Sequence, residues 1–129
     1  MSSDELKNRP DNWLAVLKRR LVGATGYALQ GLKACFLHEE AFRIEVICTL
    51  VLLPVAIFVA DSAVELVLLM GSILFVLIVE LLNSAVEATV DRISDERHEL
   101  AGRAKDLGAA AVMLSISLFF LTWGCILLL

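Results

Sequence analysis

The sequence predicts an all-α membrane protein, with an N-terminal amphipathic helix on the membrane surface followed by three transmembrane helices. Three observations carry that expectation. The chain has only 129 residues, yet 59% are hydrophobic and mean hydropathy is +0.81, well above the roughly 45–50% apolar content of soluble domains. Three apolar stretches approach or exceed the ~20 helical residues that cross a bilayer. All eleven Lys and Arg residues fall in two places, before the first stretch and between the second and third.

A single membrane domain is expected over residues 1–129, and its elements follow in order. Residues 1–10 are a polar extension without the apolar core or small-residue cleavage site of a signal peptide, so insertion is expected to rely on the internal helices. Residues 11–38 read as the surface helix. Trp13, Leu14, Val16, Leu17 and Leu21 recur at spacings of three and four, and Lys18, Arg19 and Arg20 supply the basic face of an interfacial helix. Gly23, Gly26 and Gly31 predict a break or a close helix contact nearby. The first crossing is Ile44–Ala60, seventeen residues, near the lower limit; Pro54 would kink it without excluding it. The stretch DSAVE, Asp61–Glu65, is the turn to the second crossing, Val64–Val90. A polar connector, Asp91–Asp106, leads to the third, Leu107–Leu129, which is twenty-three residues without a charge.

Charge placement orients these crossings. Lys7, Arg9, Lys18, Arg19, Arg20, Lys33 and Arg43 precede the first, and Arg92, Arg97, Arg103 and Lys105 lie between the second and third. With three crossings both regions share one side, so the positive-inside rule puts them and the N-terminus in the cytoplasm, with DSAVE and Leu129 outside. Cys35, Cys48 and Cys125 show no CxxC spacing, and are expected as small, mostly buried apolar residues.

The second crossing contains an apparent contradiction. Its apolar half, Leu66–Val79, continues into VELLNSAVEATVD, Val79–Asp91, although a charge at mid-bilayer costs at least ~2.5 kcal/mol on insertion scales. At ~100° per residue, Glu80, Asn83, Glu87 and Asp91 fall within one stripe narrower than a third of the helix circumference, rising ~16 Å from Asp91 to Glu80. The stripe enters from the cytoplasmic face, and Glu80 is deepest. A polar seam holding an oligomer is one use for it, but Asn alone would serve at lower desolvation cost. Two deep carboxylates call for protonation, a cation or a metal.

Two further clusters lie at the same face. In HEEAFRIE, His38–Glu45, the spacing of Glu39 and Arg43 allows an i, i+4 ion pair. HELAGRAKD, His98–Asp106, reads as a basic loop, and neither GxxxxGK[ST] nor GxGxxG occurs anywhere. Carboxylates suited to Mg²⁺ would therefore stand beside Arg and Lys suited to phosphate. Phosphoryl transfer needs that combination, together with a base for the attacking hydroxyl, and a deep carboxylate could meet a lipid hydroxyl that never leaves the bilayer.

VELLNSAVEATVDR, HEEAFRIE and HELAGRAKD together resemble the small prokaryotic integral-membrane diacylglycerol kinase family over about Arg20–Leu129. The resemblance implies a homotrimer with active sites between protomers in the bacterial inner membrane. It implies transfer of the ATP γ-phosphate to 1,2-diacylglycerol, giving phosphatidate, with Mg²⁺ as cofactor. The partners are ATP, the lipid and further copies of the chain, without nucleic acid. Matched position by position, Glu80 is the general base, and Glu39 and Glu87 are metal ligands that also meet the nucleotide. Arg20, Tyr27, Glu96, Arg97, His98, Lys105 and Asp106 match nucleotide positions, with Lys105 the phosphate partner. Arg20, Ala24, Arg43, Glu45, Ala109 and Trp123 match the lipid site or its surroundings, and Asn83 and Asp91 support. Without the family, Trp123 reads as an interfacial aromatic-belt residue.

Ala28 and Ile44 stand where familiar members carry polar residues, and Arg97 where they carry an aromatic. A related branch phosphorylates undecaprenol with the same fold; HEEAFRIE leans toward diacylglycerol. A proton-coupled transporter is the reading from another class, but it needs its acid reachable from both sides, and the outer half of the second crossing is apolar.

Overall fold

The computed structural model describes residues 13–129, so the polar extension 1–10 and the first two positions of the expected surface helix lie outside the described residues. The described residues form four helices: α1 (Trp13–His38), α2 (Glu40–Val59), α3 (Ala63–Ile93) and α4 (Glu99–Leu128). They fall into two compact units, one up to Ala34 and one from Cys35 to Leu129. The helices α2, α3 and α4 are each long and apolar enough to cross a membrane.

α1 runs through Gly23, Gly26 and Gly31 without the expected break. Isolated glycines cost a helix only about 1 kcal/mol each, and the Leu, Ala, Lys and Arg residues around them favour helix. α2 likewise continues through Pro54. A single residue, Glu39, separates α1 from α2, with extended φ, ψ of −108°, 115°.

The turn between α2 and α3 is tighter than DSAVE suggested. Ser62 is the N-cap of α3: its hydroxyl accepts a hydrogen bond from the Glu65 amide at 3.2 Å, while the Glu65 carboxylate accepts one from the Asp61 amide at 2.8 Å. This reciprocal arrangement is close to a capping box. It satisfies two backbone donors between two helices that are each long and apolar enough to cross a membrane.

The largest correction concerns the connector. Only 94–98 are non-helical, and α4 begins at Glu99, eight residues before the expected crossing. The charged stretch read as a loop is therefore helix. His98 caps it, with Nδ1 accepting from the Leu100 amide at 3.1 Å, and Arg103 pairs with Glu99 one turn below at 2.8 Å. Polarity kept this turn out of the apolar window but not out of the helix.

Within Cys35–Leu129, α3 packs against both α2 and α4. The core holds Ala56, Leu69, Ile73 and Trp123, with Leu52, Met70, Phe119 and others partly buried around it. Lipid is as apolar as these side chains, so close packing rather than escape from water holds the helices together. Buried hydroxyls make this packing possible by bonding their own helices: Thr49 to the Glu45 carbonyl at 2.7 Å, Ser72 to Leu69 at 2.8 Å and Ser115 to Val112 at 2.7 Å. The same lack of distinction between lipid and core corrects the cysteine expectation. Cys35 is buried, but Cys48 and Cys125 lie on exposed faces.

Candidate functional site

The stripe of α3 grades in burial along its length. Glu80 is 5% exposed, Asn83 and Glu87 are half-buried, and Asp91 is exposed. Asn83 donates from Nδ2 to Glu87 Oε1 at 3.1 Å, an i, i+4 bond between stripe neighbours. The Asn83 Oδ1 is buried without a hydrogen-bond partner. It lies against Gly108 of α4: a Cβ built there would overlap Oδ1 and come within 3.2 Å of Cγ.

Glu39 and Glu45 bring two more carboxylates to this region. Glu80 feels the negative charges of Glu87 and Glu39, and Glu45 feels that of Glu80. Glu39 sits at the one-residue break, and what shapes that break is Arg43. Its Nη1 donates to the Phe36 and Leu37 carbonyls at 3.2 and 3.1 Å, closing the C-terminal end of α1. The guanidinium therefore serves backbone oxygens, not the Glu39 ion pair that the i, i+4 spacing allowed. Nearby, Cys35 Sγ donates to Ser84 Oγ at 3.6 Å, joining the break to α3. Burial pushes this thiol up, and the surrounding carboxylates Glu39, Glu80 and Glu45 add to the effect. The group stays a neutral donor.

Glu45 stands at an apolar groove of about 220 Å³ lined by Thr49 and Leu52 of α2, Ile73 and Val76 of α3 and Phe119 of α4. Its Oε2 is buried and unpaired. A second, more open cavity of about 550 Å³ lies at the α3–α4 connector, where it meets Asp91, Glu96, Arg97, His98 and Lys105. Lys105 Nζ binds Asp91 Oδ1 at 2.6 Å across the mouth of the connector. Asp106 and Ala109 lie on exposed faces of α4.

Other positions named from sequence lie elsewhere. Trp123 is 7% exposed and stacks at 5.5 Å from Phe119 in the core with Leu69. Leu69 precedes Glu80 by eleven positions, about 16 Å along the helix. Trp123 is therefore a packing residue at the opposite end of the bundle, and its indole N–H is buried without a partner. Arg20, Ala24 and Tyr27 lie on α1, in the other compact unit.

Sequence reasoning missed Gly108. The available signal was its position at the head of the small-residue run Gly108–Ala111, the composition that lets membrane helices approach closely.

The arrangement combines a buried carboxylate, three acids within its electrostatic reach, an apolar groove and a polar cavity carrying a cation. The family profile described as prokaryotic diacylglycerol kinase matches residues 26–127. The diacylglycerol kinase of Escherichia coli K12 is 49% identical over 109 residues, covering 84% of this chain and 88% of its own length. Those of Haemophilus influenzae and Pseudomonas aeruginosa are 48% and 49% identical, over 83% and 85% of this chain and 91% and 89% of their own lengths.

Proposed function

Since the chain belongs to the prokaryotic diacylglycerol kinase family, we propose that it transfers the γ-phosphate of ATP to 1,2-diacyl-sn-glycerol at the cytoplasmic face of the bacterial inner membrane, giving phosphatidate. The observation that supports the site assignment is Glu80, a buried carboxylate within electrostatic reach of Glu39, Glu45 and Glu87.

The lipid tail occupies the apolar groove, and its free hydroxyl reaches the carboxylates above it. The unpaired Glu45 Oε2 is an acceptor awaiting such a donor. Glu80 takes the hydroxyl proton as the oxygen attacks the γ-phosphorus, and the bond from that phosphorus to the bridging oxygen breaks to release ADP. Arg43 holds the α1–α2 break, and so the position of Glu39. In the connector cavity Glu96, Arg97 and His98 bind the nucleotide; Asp106 of α4 and Arg20 and Tyr27 of α1 are assigned to the nucleotide by the family resemblance. Lys105 meets phosphate oxygens and exchanges its bond to Asp91 for them. By the same resemblance, Ala24 and Ala109 are each assigned to the lipid.

The acids suit Mg²⁺: Glu39 and Glu87 offer two carboxylates, and among the described residues no three His, Cys, Asp or Glu side chains form a complete metal cage. Mg²⁺ is commonly held in this way, by one or two carboxylates plus phosphates and water. When bound, the ion neutralises the developing phosphate charge. Three copies assemble into the active oligomer, with α1 along the cytoplasmic surface and Leu129 in the periplasm.

Purified protein in lipid micelles with Mg²⁺ and ATP should phosphorylate diacylglycerol, and faster than undecaprenol when the two are run side by side. Glu80→Gln should abolish turnover while the oligomer elutes unchanged. Preference for undecaprenol would move the chain to the related branch, and full turnover by Glu80→Gln would remove the general-base assignment.

A further inference from the structure

We propose that Gly108 is a positioning residue for Glu87: by having no side chain, it lets Asn83 hold the Glu87 carboxylate in place for the metal. This rests on the reading of Glu87 as a Mg²⁺ ligand. Three observations meet at one amide. Asn83 Nδ2 donates to Glu87 Oε1 at 3.1 Å, Asn83 Oδ1 is buried with no donor, and that oxygen occupies the space that a Cβ at position 108 would need. The other glycines of the spanning helices, Gly71, Gly102 and Gly124, leave open space for a Cβ.

The unpaired oxygen separates this role from packing alone. A contact whose only purpose was to bring α3 against α4 would be cheaper with Ala at position 83, because an unsatisfied buried acceptor costs about 1–3 kcal/mol. The other end of the same amide is what the arrangement secures. With Oε1 held by Nδ2, Glu87 keeps one orientation and leaves Oε2 for the metal, as outer partners do for ligating carboxylates. A methyl group at position 108 would force the amide to turn, and Nδ2 would leave Glu87. Glycine therefore acts on the metal ligand from the neighbouring helix, through a residue that touches neither metal nor substrate.

Mn²⁺ serves as the probe, its affinity read by electron paramagnetic resonance on purified protein in micelles with a non-hydrolysable ATP analogue. Loss of an outer partner typically weakens metal binding by about 10–100-fold, and Gly108→Ala and Asn83→Ala should each do so while the KM for diacylglycerol stays unchanged. Asn83→Ala/Gly108→Ala should bind no more weakly than Asn83→Ala, because the methyl then has no amide to displace. Gly124→Ala on the same helix should match the parent. Parental Mn²⁺ affinity in Gly108→Ala, or a further loss in the double variant, would overturn the proposal. If Gly108→Ala cannot be purified, the double variant, which has room for the methyl, decides by the same comparison. Glu87→Gln separates the two levels: parental affinity there removes the metal reading and this proposal together. Weakened affinity there with Gly108→Ala unaffected removes only the role of Gly108.

Discussion

Glu80 and Trp123 are both buried, both carry polar atoms and lie at opposite ends of one helical unit, yet their burial has different consequences. Glu80 sits among acids beside a groove at which the Glu45 Oε2 is a buried acceptor without a partner. Trp123 sits among Ala56, Leu69, Ile73 and Phe119, and its surroundings are complete except for one N–H. Trp123→Ala should therefore destabilise by about 3–5 kcal/mol, the usual range for removing a large buried aromatic, measured as a lower detergent-unfolding midpoint. Trp123→Phe keeps the ring contact and removes the unpaired donor, and should lose less. The sequence could place Glu80 because its stripe repeats on a single helix. It could not place Trp123, because a tryptophan six residues from a helix end is equally compatible with a membrane interface and with a core, and only the neighbouring helices decide.

At the scale of elements, the crossings were legible and their ends were not. Apolar content marks where a helix can lie in lipid, whereas helix ends are set by local bonds that extend into polar sequence. The first turn of α4 shows this most clearly: His98 and the Glu99–Arg103 pair start a helix in a stretch whose charges resemble a loop. The Asn83–Gly108 contact was illegible for a related reason, since it depends on how α3 and α4 are rotated against each other. The cap at the α2–α3 turn offers a direct test. Ser62→Ala removes the acceptor for the Glu65 amide and should cost about 1 kcal/mol, while Ser62→Asp, which retains an acceptor, should cost little. Equilibrium unfolding in mixed micelles would measure both.

For the molecule as a whole, the large apolar residues lie mostly outward: Leu50, Phe58, Phe120 and Leu121 are 68%, 88%, 67% and 63% exposed. Such a surface belongs against acyl chains or against other copies of the chain. For the proposed assembly of three copies, chemical cross-linking in native membranes should produce species up to three chains and no larger. Alkaline phosphatase joined after Leu129 should be active, because that enzyme folds outside the cytoplasm, whereas the same fusion in the 94–98 connector should be inactive. The break at Glu39 carries a consequence of a different kind. Because one residue separates two helices and Arg43 locks the junction to the Phe36 and Leu37 carbonyls, the reading frame of the fold is set there with no slack. One residue inserted after Glu39 would turn the start of α2 by about 100° relative to the last turn of α1, taking Arg43 off the Phe36 and Leu37 carbonyls without altering a single functional side chain. Divergence in this segment can proceed by substitution, but hardly by a change in length.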